Sequence, residues 1–242
     1  MEATPDYFFC PPPNISGDEI VINGDEFAHL VHVMRKKAGD HIRTVDGAGV
    51  AYDVILEDLK KHTAHGRITS RYPNHHEPAI AVTLAVGVLK NPSRFDFLVE
   101  KATELGVREI VPLKTARVIP HHGKTERWQK LALAAMKQCC RSYLPVVRPV
   151  TDLDEFLSGS RHEVKLIAHE KYQGYYQPQP AAGKKSAGLL VGPEGGFSEE
   201  EVERCIAGGF QAVSLGERRL RTETAAAVLT FLAMGGNSDE NN

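Results

Sequence analysis

The chain reads LLVGPEGGFSEEEVER over residues 189–204 and LGERRLRTETAAAVL over residues 215–229. The first stretch decides the fold. An apolar run that stops at Gly192-Pro193 reads as a buried strand ending in a sharp turn. Ser198 followed three residues later by Glu201, ahead of Val202, is a capping box that opens a helix. Strand, glycine-bearing loop and helix in that order put the loop at the carboxyl end of a strand, where open α/β sheets hold their ligands. Gly192, Gly195 and Gly196 let a ligand come close to the backbone and permit positive φ. The first stretch makes a pocket floor, and the second reads as its wall.

The same alternation continues outward. IAVTLAVGVL (80–89) is apolar throughout, as suits a strand buried on both faces. Residues 93–105 place Phe97, Leu98, Ala102 and Leu105 at helical spacing, and Gly106 ends that helix. EIVPL (109–113), VKLIAH (164–169), GLLVG (188–192) and AVSLG (212–216) read as strands, and residues 124–141 and 222–234 as helices. Strands alternating with helices predict a mostly parallel sheet covered on both faces. The first 70 residues read differently, as β-rich with one helix. HIRTV (41–45) and VAYDVIL (50–56) flank the turn Asp46-Gly47-Ala48-Gly49, and Asp25 is the expected cap of a helix carrying Phe27, Leu30, Val31 and Met34. RYPNHHEP (71–78) reads as a linker, and the tail GGNSDENN as disordered.

Composition narrows the classes. No apolar run approaches the roughly 18 residues of a membrane span, and MEATPDYFF lacks the basic start and apolar core of a signal peptide. Cys10, Cys139, Cys140 and Cys205 show neither a disulfide framework nor a C-x-x-C pair, so a reduced, cytoplasmic protein is expected. Residues 1–78 carry 8 Lys/Arg against 12 Asp/Glu, and residues 79–242 carry 21 against 19. Neither part is a basic arm, so any RNA contact falls to local clusters such as Arg35-Lys36-Lys37, Lys60-Lys61-His62 or Arg218-Arg219-Leu220-Arg221. Neither G-x-G-x-x-G nor G-x-x-x-x-G-K-[ST] occurs. His29 and His32 have helical spacing without a third ligand, and His75-His76 and His121-His122 lack ligand spacing, so no metal is expected.

VGPEGGFSEEE (191–201) and LGERRLRTETAAA (215–227) resemble the two signature segments of the RsmE family, SPOUT-superfamily enzymes that methylate N-3 of a uridine in small-subunit (16S) ribosomal RNA. HLVHVMRKKAGDHI (29–42), VDGAG (45–49), LVEKATELGVREIVPLKTAR (98–117) and KQCCRSYLP (137–145) extend the resemblance over nearly all of residues 5–234. It implies an α/β fold: a SPOUT-type parallel sheet with a C-terminal trefoil knot over residues 79–235, behind a small PUA-like RNA-binding β-barrel over residues 1–72. It also implies S-adenosylmethionine as cofactor, a homodimer, and ribosomal RNA as partner, within the assembled subunit. A SPOUT enzyme acting on another RNA or atom, or a non-enzymatic ribosome-assembly protein, stays open. Three positions depart from the family pattern. Pro5-Asp6-Tyr7-Phe8-Phe9 lacks an early Arg, Lys137 stands where Glu is usual, and Arg219 stands where an aliphatic residue is usual.

The resemblance places the cofactor among three loops. His169 is its edge on one loop; Gly192, Pro193, Glu194, Gly195 and Gly196 form the second; Leu215, Gly216, Leu220, Thr222 and Thr224 belong to the third. Leu215 and Leu220 are expected to flank the adenine. Arg221 and Glu223 are the catalytic candidates: Arg221 to stabilise charge on the uracil oxygens, Glu223 to take the N-3 proton directly or through water. A first-turn glutamate that only favours its helix is the competing reading for Glu223. Arg35, Lys36, Arg94 and Arg141 are the candidate RNA contacts, with a helix C-terminal role as the alternative for Arg141.

Overall fold

The computed structural model describes residues 7–118, 124–170 and 183–235. The early-Arg position, His121-His122 and the tail beyond Gly235 lie outside the described residues. The chain divides into two compact units: residues up to Glu77 with Leu133–Leu144, and Pro78–Ala132 with the residues from Pro145 on.

The first unit holds β1 (Tyr7–Phe9), β2 (Ile15–Ser16), β3 (Glu19–Asn23), α1 (Gly24–Ala28), β4 (His41–Val45), β5 (Val50–Leu59) and β6 (Thr63–Pro73). Its six strands run in the order β1-β4-β5-β6-β3-β2, all antiparallel neighbours except the parallel pair β1–β4. Phe8, Ile20, Ile22, Leu30, Val54 and Leu56 fill its core. The hairpin turn is locked by Asp46, whose carboxylate accepts from Ala48 N, Val50 N and the Tyr52 hydroxyl.

Three expectations change here. The cap position belongs to Asn23, with no side-chain cap bond, and Asp25 lies in the first turn. The helix then widens into a π turn over His29–Val33, which breaks the 3.6-residue period and leaves Val33 exposed. The linker is half strand: Arg71, Tyr72 and Pro73 pair with Tyr52, Ala51 and Val50, and the Tyr72 hydroxyl donates to Asp53 at 2.7 Å.

The second unit holds β7 (Ala81–Gly87), α2 (Pro92–Glu104), β8 (Glu109–Lys114), the start of α3 (Thr125–Gln138), β9 (Val146–Val147), β10 (Thr151–Asp152), α4 (Leu153–Gly159), β11 (Val164–Ala168), β12 (Ser186–Val191), α5 (Glu199–Ala207), β13 (Gln211–Val213) and α6 (Thr222–Ala233). Its strands run β10-β8-β7-β12-β11-β13, with β9 also on β8, and every pair is parallel. Register explains the unbroken apolar strands. Ala212, Ile167, Leu190, Ala85 and Val111 align as one row across the sheet, packed with Leu153 of α4 and Cys205 of α5. The next row, Leu166, Leu189, Leu84 and Ile110, faces the opposite side and is equally buried, with α6 against β7 and β12 and α2 against α6. Both rows must be apolar because helices cover both faces. The capping box is complete: Ser198 Oγ accepts from Glu201 N, and Glu201 accepts from Ser198 N at 2.8 Å.

Candidate active site

At the carboxyl edge, Val213, Ala168 and Val191 end their strands side by side, with Val86 of β7 beside Val191. The loops leaving β11, β12 and β13 at this carboxyl edge enclose a cavity of about 330 Å³. Ala168, His169 and Glu170 line it from the first loop, Val191 to Phe197 from the second, and Leu215, Gly216, Arg218, Arg219, Leu220, Arg221, Thr222 and Ala225 from the third. Arg94, Arg117 and Glu199 complete the wall.

The floor cannot carry side chains at its tightest point. A Cβ on Gly192 would sit 2.9 Å from Gly196 Cα and from Phe197 N, backbone atoms that cannot swing away. Gly196 adopts φ +68°, a left-handed conformation that glycine tolerates without cost. Three side chains tie this loop to its neighbours. Thr222 Oγ1 donates to Gly192 O at 3.0 Å, Lys90 N donates to Glu194 Oε1 at 3.1 Å, and Arg117 donates to Gly195 O. Glu194 Oε2 is buried with no hydrogen-bond partner, so the cavity wall holds an acceptor ready for a ligand's N–H or positive charge.

Ten of the eleven expected cofactor contacts therefore meet around one cavity. Thr224 does not: it is exposed on the first turn of α6 and outside the lining. Arg221 lines the rim, whereas Glu223, the candidate base, is buried and absent from the lining. Its Oε1 lies 3.3 Å from Arg94 Nε, and its Oε2 has no hydrogen-bond partner. Arg94 is a wall residue. Arg35 is exposed and Lys36 half-buried in the first unit, and neither lines the cavity.

Arg141, one of the candidate RNA contacts, is buried. Its side chain is 3% exposed and its guanidinium grips Glu77, 6% exposed, at 2.7 Å. Glu77 also accepts from Ser142 N and Tyr143 N. Its guanidinium is thus spent on Glu77 inside the unit, with little of it left at the surface. Lys137, the unusual residue before Gln138, pairs with Glu26. Arg117 escaped the sequence reading, because it stands just past β8 and only the assembled sheet brings it to the glycine loop. Among the described residues no group of three or more His, Cys, Asp or Glu is arranged to hold a metal, and no helix is long and apolar enough to cross a membrane.

Fold and site thus define an α/β domain that holds its ligand at the carboxyl edge of a parallel sheet, preceded by a β-rich domain. Residues 76–234 match the family model of the RNA methyltransferase domain, and residues 22–69 that of the RNA methyltransferase PUA domain. The ribosomal RNA small subunit methyltransferase E of Bacillus subtilis is 32% identical over 84% of this chain and 85% of its own length. The enzyme of the same name from Synechocystis is 31% identical over 90% and 73%. The crystal structure of the Neisseria gonorrhoeae ribosomal RNA small subunit methyltransferase E bound to S-adenosyl methionine superposes with a TM-score of 0.83, at 32% identity, over 94% of this chain and 95% of that one. A Legionella pneumophila structure with bound SAM gives 0.84, at 28% identity, over 96% and 98%. This chain belongs to the RNA methyltransferase family typified by ribosomal RNA small subunit methyltransferase E.

Proposed function

We propose that this protein transfers the methyl group of S-adenosylmethionine to N-3 of a uridine in small-subunit ribosomal RNA, in the cytoplasm and as a homodimer. The observation that carries the reading is the convergence of both signature segments on one cavity at the carboxyl edge of the sheet. Its volume falls in the range of small-molecule sites. Leu215, Leu220, Ala225 and Val191 offer apolar surface for a flat ring, and the unpartnered Glu194 Oε2 offers an acceptor. When bound, S-adenosylmethionine supplies a methyl group already activated by its sulfonium and leaves as a neutral thioether.

The chain's own residues then have three tasks. Gly192 and Gly196 let the loop fold tightly on itself to form the floor, and Thr222 fixes that floor to the start of α6. The substrate N-3 sits on the pairing edge of uracil, so the base must enter unpaired. The loss of its proton spreads negative charge onto the ring oxygens, and Arg221 at the rim is placed to meet that charge.

The domain limits of this reading are 1–72 for the PUA-like RNA-binding part and 79–235 for the methyltransferase part. The C-terminal knot belongs to it as well, supported by a strand order in which β12 enters between β7 and β11. A second copy of the chain has a surface to cover, because Phe97 on α2 and Phe231 on α6 are 47% and 53% exposed.

The test is binding and transfer together. Calorimetry is expected to show one cofactor site per chain, and labelled methyl is expected to pass from S-adenosylmethionine to small ribosomal subunits taken from cells without the endogenous enzyme. Cofactor binding without transfer to any ribosomal RNA would contradict the proposed substrate.

A further inference from the structure

We infer that Glu223 serves the reaction through Arg94: its carboxylate orients the Arg94 guanidinium at the cavity wall, where that guanidinium meets the negative charge developing on an imide oxygen of the substrate base. The inference rests on the function proposed above and assigns Glu223 a positioning role, with Arg94 as the catalytic residue.

The geometry separates the two residues. Arg94 lines the cavity with its side chain 28% exposed, while the Glu223 side chain is 10% exposed and lies outside the lining. A group that abstracts a proton must reach it. Of the pair, only Arg94 has a surface on the cavity. Glu223 Oε1 stands 3.3 Å from Arg94 Nε, the inner nitrogen of the guanidinium, so this contact leaves the donors of the two outer nitrogens for a ligand. A carboxylate buried this deeply without a cationic partner would be strongly disfavoured, and Arg94 supplies the cation that offsets the burial of Glu223.

The two residues sit on frames that share an anchor. Arg94 is in the first turn of α2, just after Lys90, whose N–H donates to Glu194 of the glycine loop. Glu223 follows Thr222, whose hydroxyl donates to Gly192 of the same loop. The Arg94–Glu223 pair closes this triangle. It holds the guanidinium in the cavity wall, as electrostatic preorganisation requires. The uracil proton then passes to solvent water, and the charge it leaves is held by Arg94 on one ring oxygen, together with Arg221 at the rim, until the N–C bond forms as the cofactor's S–C bond breaks.

Methyl transfer to small subunits, measured from pH 6 to pH 9, tests this with wild type, R94K, E223Q and E223D, alongside cofactor affinity by calorimetry. His169, Glu170, Glu194 and Glu199, the other titratable wall residues, stay in place in every variant and make the same contribution to each profile. Each of R94K and E223Q is expected to lower kcat by ten- to a hundredfold, with cofactor Kd within about threefold of wild type. E223Q keeps the shape of the wild-type pH profile at a lower plateau, E223D recovers part of the rate, and R94A/E223A is no slower than R94A alone. Loss of the rising limb of the profile in E223Q would make Glu223 the base and overturn the assignment. Weakened cofactor binding in R94K would overturn it too, by placing Arg94 on the cofactor's carboxylate. Absence of any wild-type methylation would instead overturn the underlying function, whereas a normal wild-type rate with unaltered variants would overturn the coupling alone.

Discussion

Thr222, the first residue of α6, donates its hydroxyl to the carbonyl of Gly192, 30 residues earlier, at 3.0 Å. One buried hydrogen bond thus joins the two segments that stand out most in the sequence. Thr222→Val keeps the shape and removes the donor, leaving a buried carbonyl unsatisfied at a cost of about 1–3 kcal/mol. The expected result is a lower melting temperature and a loss of cofactor affinity of about tenfold, read by thermal denaturation and calorimetry. A variant with unchanged affinity would show that the floor holds its form without α6.

Substitutions on the floor should divide by what the added atoms meet. Gly192→Ala drives a Cβ to 2.9 Å from the Gly196 backbone, so it should cost about 1–3 kcal/mol of stability as well as cofactor binding. Gly195→Val meets the flexible Arg117 side chain, with a Cβ 3.3 Å from its Cδ. It should abolish cofactor binding while leaving the fold intact. Circular dichroism and calorimetry on the two variants check the distinction, and equal destabilisation by both would contradict it.

The buried Arg141–Glu77 pair predicts a stability phenotype for a residue that the sequence alone offers as an RNA contact. Arg141→Ala and Glu77→Ala each strand a charge and should each cost roughly 3–5 kcal/mol, measured by urea unfolding. A surface RNA contact behaves otherwise: Arg141→Ala would then weaken RNA binding at unchanged stability, and Glu77→Ala would not reproduce it.

Burial pushes the thiols of Cys10 and Cys205 from 9.0 up to about 12. In the unfolded chain they ionise near 9.0, so the folded state holds more protons between that pH and about 12, and stability falls as pH rises through this window. Below it their contribution is fully present. Melting temperature should decline above pH 9, and Cys205→Ala should flatten part of the decline. Both thiols should also resist alkylation at pH 8 until the chain unfolds; rapid labelling of Cys205 in the native protein would contradict its burial.

Much of this architecture is legible because local chemistry and global fold agree. The continuous apolar run before Gly192, the Ser198–Glu201 box and Gly106 at the end of α2 each act through near neighbours, and each appears in the structure in the expected role. What escaped depends on distance or on competition. Arg71 and Tyr72 carry turn neighbours, yet β5 supplies a partner strand, and pairing wins over local composition. Asn23 holds the cap position because Gly24, at φ +59°, makes the turn into α1. The helix α4 is seven residues long, too short to display a period. At the site, the two signature segments announced the loops but not the partners brought in by other elements: Arg117 past β8, or Arg94 against Glu223. Side chains that meet only after the sheet is assembled leave no spacing to read.

The most direct measurement of the central claim is the identity of the methylated nucleoside. Small ribosomal subunits from cells lacking the endogenous enzyme are incubated with the protein and S-adenosylmethionine, and their RNA is digested and read by mass spectrometry. The account predicts 3-methyluridine, absent when the cofactor is left out. A different methylated nucleoside would preserve the cavity as a cofactor site and contradict the uridine N-3 assignment; no methylated nucleoside at all would contradict the proposed reaction on this substrate.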